Sequence, residues 1–358
     1  MTPLPEPLPA GRQALPWGEG RKEDSPVANS PLFHYSIRMR VLSGFQPSGK
    51  FHLGNYFGSI RPNIEFQKKS DVSFFMVADL HSLTSLKDPE ELRSSMRDNV
   101  LDFLACGLDT EHSVLFRQSD ISEHAELTWI LSTVTPMGLL ERAVSYKEKV
   151  TKGIAASVGL FTYPILMTAD ILLYRTDLVP VGKDQKQHVE IARDIALKFN
   201  NAYGETFVLP EPQIQKEVAV VPGTDGQKMS KSYGNTIPLF GEEKEIKKAI
   251  MGIVTDSKEA HDPKDPDTCT IYQIHRLFLD LPGAKALAEE YRNGLPYGDA
   301  KRQLFEQCME YFAPMRERRS ILQKKEDEIH DILQKGAKKA SGVASETLER
   351  VKRAVGLI

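Results

Sequence analysis

The chain has 358 residues, 41% of them hydrophobic and 27% charged, with a formal net charge of -3 at pH 7. It is long enough for two domains, and no apolar run approaches the roughly 18 residues of a membrane-spanning helix. Three scattered cysteines (Cys106, Cys269, Cys308) exclude a disulfide framework and a cysteine-based metal site and point to the reducing cytoplasm, while a near-neutral total leaves nucleic acid open as a partner.

Residues 1–38 hold seven of the 22 prolines, and four basic residues (Arg12, Arg21, Lys22, Arg38) balance four acidic ones (Glu6, Glu19, Glu23, Asp24). This composition predicts a disordered N-terminal extension and is unlike an acid-poor transit peptide. Met39, directly before the first strand, is a candidate start of the folded protein.

From Val41 the pattern is α/β. Residues 41–43 read as a strand, 52–67 as a helix, and the continuously apolar run 72–77 as a strand of a parallel sheet covered on both faces. Between the first strand and its helix lies Gln46-Pro47-Ser48-Gly49-Lys50-Phe51-His52-Leu53-Gly54-Asn55. A glycine-bracketed turn that opens a helix leaves backbone N–H groups for an anion. His52 and Asn55, three apart, share a face from which both can donate to a phosphate. Taken alone, the motif equally fits a capped helix with a surface histidine. Asp79 and His81 follow the second strand and are expected to line the same crevice, because ligands of open parallel sheets sit beyond the carboxyl ends of the strands. A helix capped by Asp88 runs to about Cys106, and 114–118 form a third strand. Ser122 is expected to cap a helix to about Leu140 that carries Trp129 in its apolar face.

Residues 141–158, with Arg142, Lys147, Lys149 and Lys152, read as a solvated loop. The helix that follows, 159–174, is apolar except for Asp170 and puts Tyr163, Met167, Asp170 and Tyr174 on one face. A buried carboxylate without a donor is costly, so Asp170 needs a partner inside the chain or on a ligand. Residues 179–181 form a strand, Gly182-Lys183-Asp184 its exit turn, and Gln185 leads into a helix to about Asn200. Asp184 could accept from ribose hydroxyls. Beyond Pro210 and Pro212, a glycine-rich turn surrounds Lys228-Met229-Ser230-Lys231-Ser232. Its two ammonium groups could close over a triphosphate and stabilise charge on a leaving pyrophosphate. From Thr236 the pattern is helical: 242–253, 270–278, 284–291, 298–312, and a long stretch from Pro314. Lys335, Lys338, Lys339, Arg350, Lys352 and Arg353 make a basic patch that fits either a solvated face or RNA phosphates.

His52-Leu53-Gly54-Asn55 and Lys228-Met229-Ser230-Lys231-Ser232, in this order, resemble the two signatures of class I aminoacyl-tRNA synthetases. Gly44 to Gly49, Thr162-Tyr163-Pro164, Ala169 to Tyr174 and Val181 to His188 are similar to the bacterial tryptophanyl branch, and the likeness covers roughly residues 40–358. Asn55 stands where a second histidine is commoner in the class, and Lys183 replaces an acidic residue frequent in the branch. The resemblance implies an α/β fold: a Rossmann-like parallel-sheet catalytic domain (39–234) and a C-terminal all-helical, anticodon-binding domain (235–358), with the last helices as candidates to pack back on the core. It implies ATP-dependent activation of tryptophan, transfer to tRNA(Trp), Mg²⁺ bound mainly through ATP, no protein metal site, and a homodimer.

By the same carry-over, His52, Asn55, Lys149, Lys228 and Lys231 are catalytic. Gln46, Pro47, Ser48, Gly54, Gly182, Lys183, Asp184, Met229, Ser230 and Ser232 join Asn55, Lys228 and Lys231 around ATP, Gly54 by letting adenine approach. Asp170, Met167, Tyr163, His81, Gln46, Leu42, Val179, Val181 and Gln185 surround the amino acid. The rivals are the tyrosyl enzyme, because Asp170 alone accepts equally from an indole N–H or a phenol O–H, and a non-catalytic RNA-binding paralogue. Met167 favours the larger indole, and the interval between His52 and Lys228 leaves no room for an editing domain.

Overall fold

A computed structural model describes residues 39–143, 157–182, 185–214 and 220–358. The disorder expected of 1–38 and the roles expected of Lys149, Lys183 and Asp184 lie outside those residues. Strands β1 (Arg40–Phe45), β2 (Val72–Val77), β3 (Ser113–Arg117), β4 (Leu178–Val181) and β5 (Glu211–Ile214) form one parallel sheet in the order β3-β2-β1-β4-β5. The described helices are α1 (Leu53–Asn55), α2 (Arg61–Gln67), α3 (Asp79–Ser82), α4 (Pro89–Ala105), α5 (Glu123–Ser132), α6 (Met137–Glu141), α7 (Val158–Leu173), α8 (Lys186–Tyr203), α9 (Glu243–Met251), α10 (Thr270–His275), α11 (Leu281–Arg292), α12 (Tyr297–Leu322) and α13 (Glu326–Ala354).

The period-two alternation of β2 divides the core into two layers. Phe74 and Met76 pack with Leu127 of α5, Ile165 and Leu172 of α7 and Ile195 of α8. Phe75 and Val77 pack with Leu53, with Leu101 and Phe103 of α4, and with Ile271, Tyr291 and Phe312 of the C-terminal helices. The last helix, α13, contributes Leu333 to the second layer and Ala340, Ala344 and Val351 to the first. It lies so close to edge strand β3 that a Cβ at Gly336 would come 1.8 Å from the Leu115 carbonyl oxygen. A helix laid there covers backbone groups that would otherwise invite pairing with another chain.

Several expectations need correction. Residues 211–214, to which the sequence pattern assigns no element, form the fifth strand, at an edge of the sheet where Pro212 leaves no central ladder bond unmade. The helix expected over 122–140 stops at Ser132 and restarts after Pro136. Ser122 makes no side-chain cap, and Trp129 is 74% exposed rather than in the core. The buried face of α5 runs through His124, Leu127 and Leu131, and position 129 points away from it. Pro314 lies inside the continuous α12 instead of opening a new helix. Between α1 and α2 the chain forms a π-helical turn, Tyr56–Ile60, closed by Arg61 N–H on the Tyr56 carbonyl. Pro62, which follows, has no N–H to continue an α-helical ladder.

Candidate active site

The first signature sits where β1 gives way to α1. His52 is the N-cap: its Nδ1 accepts from Asn55 N (3.3 Å), and Asn55 Oδ1 accepts from His52 N (3.1 Å). This reciprocal cap satisfies donors at the helix start and leaves each side chain an N–H, at His52 Nε2 and Asn55 Nδ2. The two sequence readings, helix cap and polar donor pair, are therefore compatible. Burial and the nearby Lys231 ammonium pull the His52 imidazole down to about 4, so near neutral pH it is an uncharged donor.

The second signature clasps the first. Gly54 N donates to Met229 Sδ at 3.2 Å across 175 residues of sequence, and Lys231 Nζ donates to the Ser48 carbonyl at 2.7 Å. Backbone bonds run from Leu53 N to Ile237 O (3.0 Å) and from Leu239 N to Phe51 O (3.0 Å). A Cβ on Gly54 would meet His52 Nδ1 at 2.9 Å and Met229 Cβ at 3.2 Å. The close neighbours that require a glycine here are thus the His52 ring and a buried Met229. Burial lowers the Lys231 amine from its ordinary value, with Asp102 opposing the shift.

Asn235 shapes the lysine loop. Buried itself, it accepts from Ser230 N at Oδ1 (2.8 Å) and donates from Nδ2 to Asp225 Oδ1 (2.7 Å) and the Lys228 carbonyl (3.1 Å). Lys228 and Ser232 remain exposed at the rim.

The carboxyl ends of β2 and β3 converge on Asp170 of α7. His81 Nε2 donates to Oδ2 (2.8 Å) and Gln118 Nε2 to Oδ1 (2.7 Å). His124 Nδ1 lies 2.7 Å from Oδ1, off the ideal N–H direction; at that separation between buried atoms a proton must still lie between them. Tyr174 O–H reaches the other His124 nitrogen at 2.7 Å. Burial works against ionisation of Asp170, but contacts to His124 and His81 outweigh it and hold the carboxyl below the usual carboxylate range. Gln118 is itself oriented by Leu80 N, which donates to its Oε1 (3.1 Å). Asp79 accepts from Leu80 N and Ser119 N, both at 3.0 Å, and so ties α3 to the β3 exit.

Helix α3 also joins the two halves. Ser82 Oγ donates to the Pro47 carbonyl (3.3 Å), while its neighbour His81 reaches Asp170. Tyr163 bonds His188 Nε2 (2.7 Å), whose Nδ1 meets Gln185 Oε1 (2.8 Å), and the Tyr163 ring centroid is 6.4 Å from that of His81. Leu42 and Val179 are buried, Met167 and Val181 partly so, in the same apolar layer as Ala169. Gln46 and Ser48 are exposed on the exit turn, and Gly182 is half-buried at the end of β4. Sequence reasoning singled out neither Gln118, His124 nor Asn235 for the site. Gln118 was open to the strand-end rule already applied to His81; the other two carry no local signal beyond being polar. The basic patch on α13 is partly spent inside the chain, since Lys352 pairs with Glu126 and Arg353 with Glu349. A 1010 Å³ groove lined by Phe57, Arg61, Lys69, Gln213, Arg276 and Lys285 lies elsewhere and includes none of the signature residues.

Residues 36–313 match the family model for class I tRNA synthetases (W and Y). The chain is 52% identical over 320 residues to a tryptophan–tRNA ligase of Rhodopirellula baltica, covering 89% of this chain and all of that relative. It is 51% identical over 321 residues to one of Fusobacterium nucleatum, covering 89% and 98%. Among solved structures it is similar to Campylobacter jejuni tryptophanyl-tRNA synthetase complexed with ADP and tryptophan. There the TM-score is 0.83, the identity 52%, and the coverage 89% of this chain and 100% of that one.

Proposed function

The chain belongs to the class I tRNA synthetases of the tryptophan and tyrosine group, and from that membership we infer its reaction as tryptophan–tRNA ligation. ATP and L-tryptophan give tryptophanyl-adenylate and pyrophosphate, and the tryptophanyl group then passes to the 3′-terminal adenosine of tRNA(Trp). The observation that carries the site assignment is the clasp of two distant signatures, linked through α3 to a buried carboxylate.

The attacking tryptophan carboxylate is already a nucleophile, so the protein's work is positioning and charge stabilisation. His52 Nε2–H and the Asn55 amide donate to ATP phosphates, and the exit turn with Gln46, Pro47 and Ser48 lies between nucleotide and amino acid. Lys228 and Lys231 come onto the departing pyrophosphate, Lys231 leaving the Ser48 carbonyl, and Lys149 contacts the phosphates. Gly182, Lys183 and Asp184 flank the ribose, and Ser230 and Ser232 line the closing loop. Asp170 accepts the indole N–H, with Met167, Tyr163, His81, Leu42, Val179, Val181 and Gln185 around the amino acid. Among the described residues no group of three carboxylate, imidazole or thiolate side chains could hold a metal ion. Mg²⁺ bound mainly through the ATP phosphates would neutralise their charge.

Residues 39–234 carry activation and 235–358 contact the tRNA anticodon, in the cytoplasm. The protein is expected to act as a homodimer, testable by sedimentation. Charging of a tRNA(Trp) transcript with labelled tryptophan, weakened by added salt, tests the second step. Adenylate formation without any charging would contradict it.

A further inference from the structure

We propose that Gln118, His124 and Tyr174 are positioning residues for substrate choice, making Asp170 an acceptor with a single open direction, on Oδ2. This rests on the reading that Asp170 takes the substrate's ring N–H. A carboxylate oxygen accepts about two hydrogen bonds. Oδ1 is covered by Gln118 Nε2 and His124 Nδ1, both at 2.7 Å, whereas among the described residues Oδ2 accepts from His81 alone. Gln118, His124 and Tyr174 are fully buried, and Asp170 is 2% exposed. The His81 side chain, at 14%, marks the side from which a ligand can approach.

The tautomers follow from the acceptor. A carboxylate cannot donate, so His124 presents its Nδ1 proton to Asp170, and its Nε2 meets the Tyr174 hydroxyl. The ring of Tyr174 stacks on Phe74, with centroids 4.7 Å apart, which fixes the hydroxyl. Gln118 is held at its other end by the backbone of Leu80.

An acceptor arranged in this way separates indole from phenol, which Asp170 alone does not. An indole N–H is donor only and completes Oδ2. A phenol O–H donates as well, but its oxygen brings lone pairs that need donors, and the N–H groups reaching Asp170 are already committed to the carboxylate. A buried acceptor left unpaired is penalised, and this sets the direction of selectivity.

The test compares ATP–pyrophosphate exchange with L-tryptophan, L-tyrosine and L-3-benzothienylalanine, which keeps the bicyclic shape but has sulfur in place of the N–H. The intact chain should prefer tryptophan over the thienyl analogue by about 10- to 100-fold in kcat/KM, as expected for loss of a hydrogen bond to a charged acceptor. Gln118→Met and Tyr174→Phe should each shrink that preference several-fold, mainly through the KM for tryptophan, and raise exchange with tyrosine relative to tryptophan. If both variants lower tryptophan and analogue by the same factor while melting like the parent, the network is only structural and the proposal fails. Asp170→Asn separates the two levels. An unchanged preference there overturns the Asp170 reading itself, whereas a collapsed preference alongside intact selectivity in Gln118→Met and Tyr174→Phe overturns only the positioning role.

Discussion

The proposed phosphate side of the site is made by segments distant in sequence that meet through an N–H on a thioether, an ammonium on a carbonyl and two backbone hydrogen bonds. The amino-acid side is instead a single carboxylate enclosed by His81, Gln118 and His124. Opening the first breaks a few single contacts whose groups can return to water, and exposed Lys228 already stands at its rim. Opening the second would strand an ionised, buried carboxylate, at a cost of several kcal/mol. The contrast assigns movement to the nucleotide half and selectivity to the amino-acid half.

The most damaging change should fall on the mobile side. Lys231→Ala is expected to lower single-turnover adenylate formation by about 10²- to 10³-fold, the scale of losing one donor to developing charge. A melting temperature near the parent's would accompany it, because among the described residues the ammonium hydrogen-bonds one backbone oxygen and otherwise lies 6.0 Å from the centre of the Phe51 ring. Next in size, Asp170→Asn should raise the KM for tryptophan by about 10- to 100-fold, while the KM for ATP moves little. A larger effect on ATP would erase the distinction between the halves.

Asn235→Ala probes how firmly the lysine loop is shaped. It removes bonds to Ser230, Asp225 and Lys228 and should destabilise the protein by about 1–3 kcal/mol in urea titrations, with kcat reduced more than the KM for tryptophan. The smallest effect concerns pH. An unfolded chain protonates His52 near 6.5, whereas the folded chain holds it neutral down to about 4. The unfolded state then binds more protons between those values, and stability falls as pH drops through the window. Urea titrations of the parent against His52→Gln should show the parent's relative stability falling by about 1 kcal/mol between pH 7.5 and 5.5. No change would place the ring in solvent.

Strands β1 to β4 were legible because each is a short apolar run between turn residues, whereas β5, Glu211-Pro212-Gln213-Ile214, has no apolar run to mark it. Trp129 was misassigned because an apolar residue was counted without asking which helical face it occupies. The two signatures could be read as motifs, since each is contiguous in sequence. Asp170 was legible only as a need for donors. Those donors come from positions 81, 118 and 124, on three separate elements; the strand-end rule reaches the first two, and no local pattern names His124. Asn235 belongs with them: its buried amide closes the lysine loop from beyond the motif.

Exchange of labelled pyrophosphate into ATP, with tryptophan and tyrosine supplied separately at equal concentration, tests the central claim most directly. The account predicts ready exchange with tryptophan and a rate with tyrosine close to that of the amino-acid-free control. Equal exchange with both amino acids, or none with either, would contradict it.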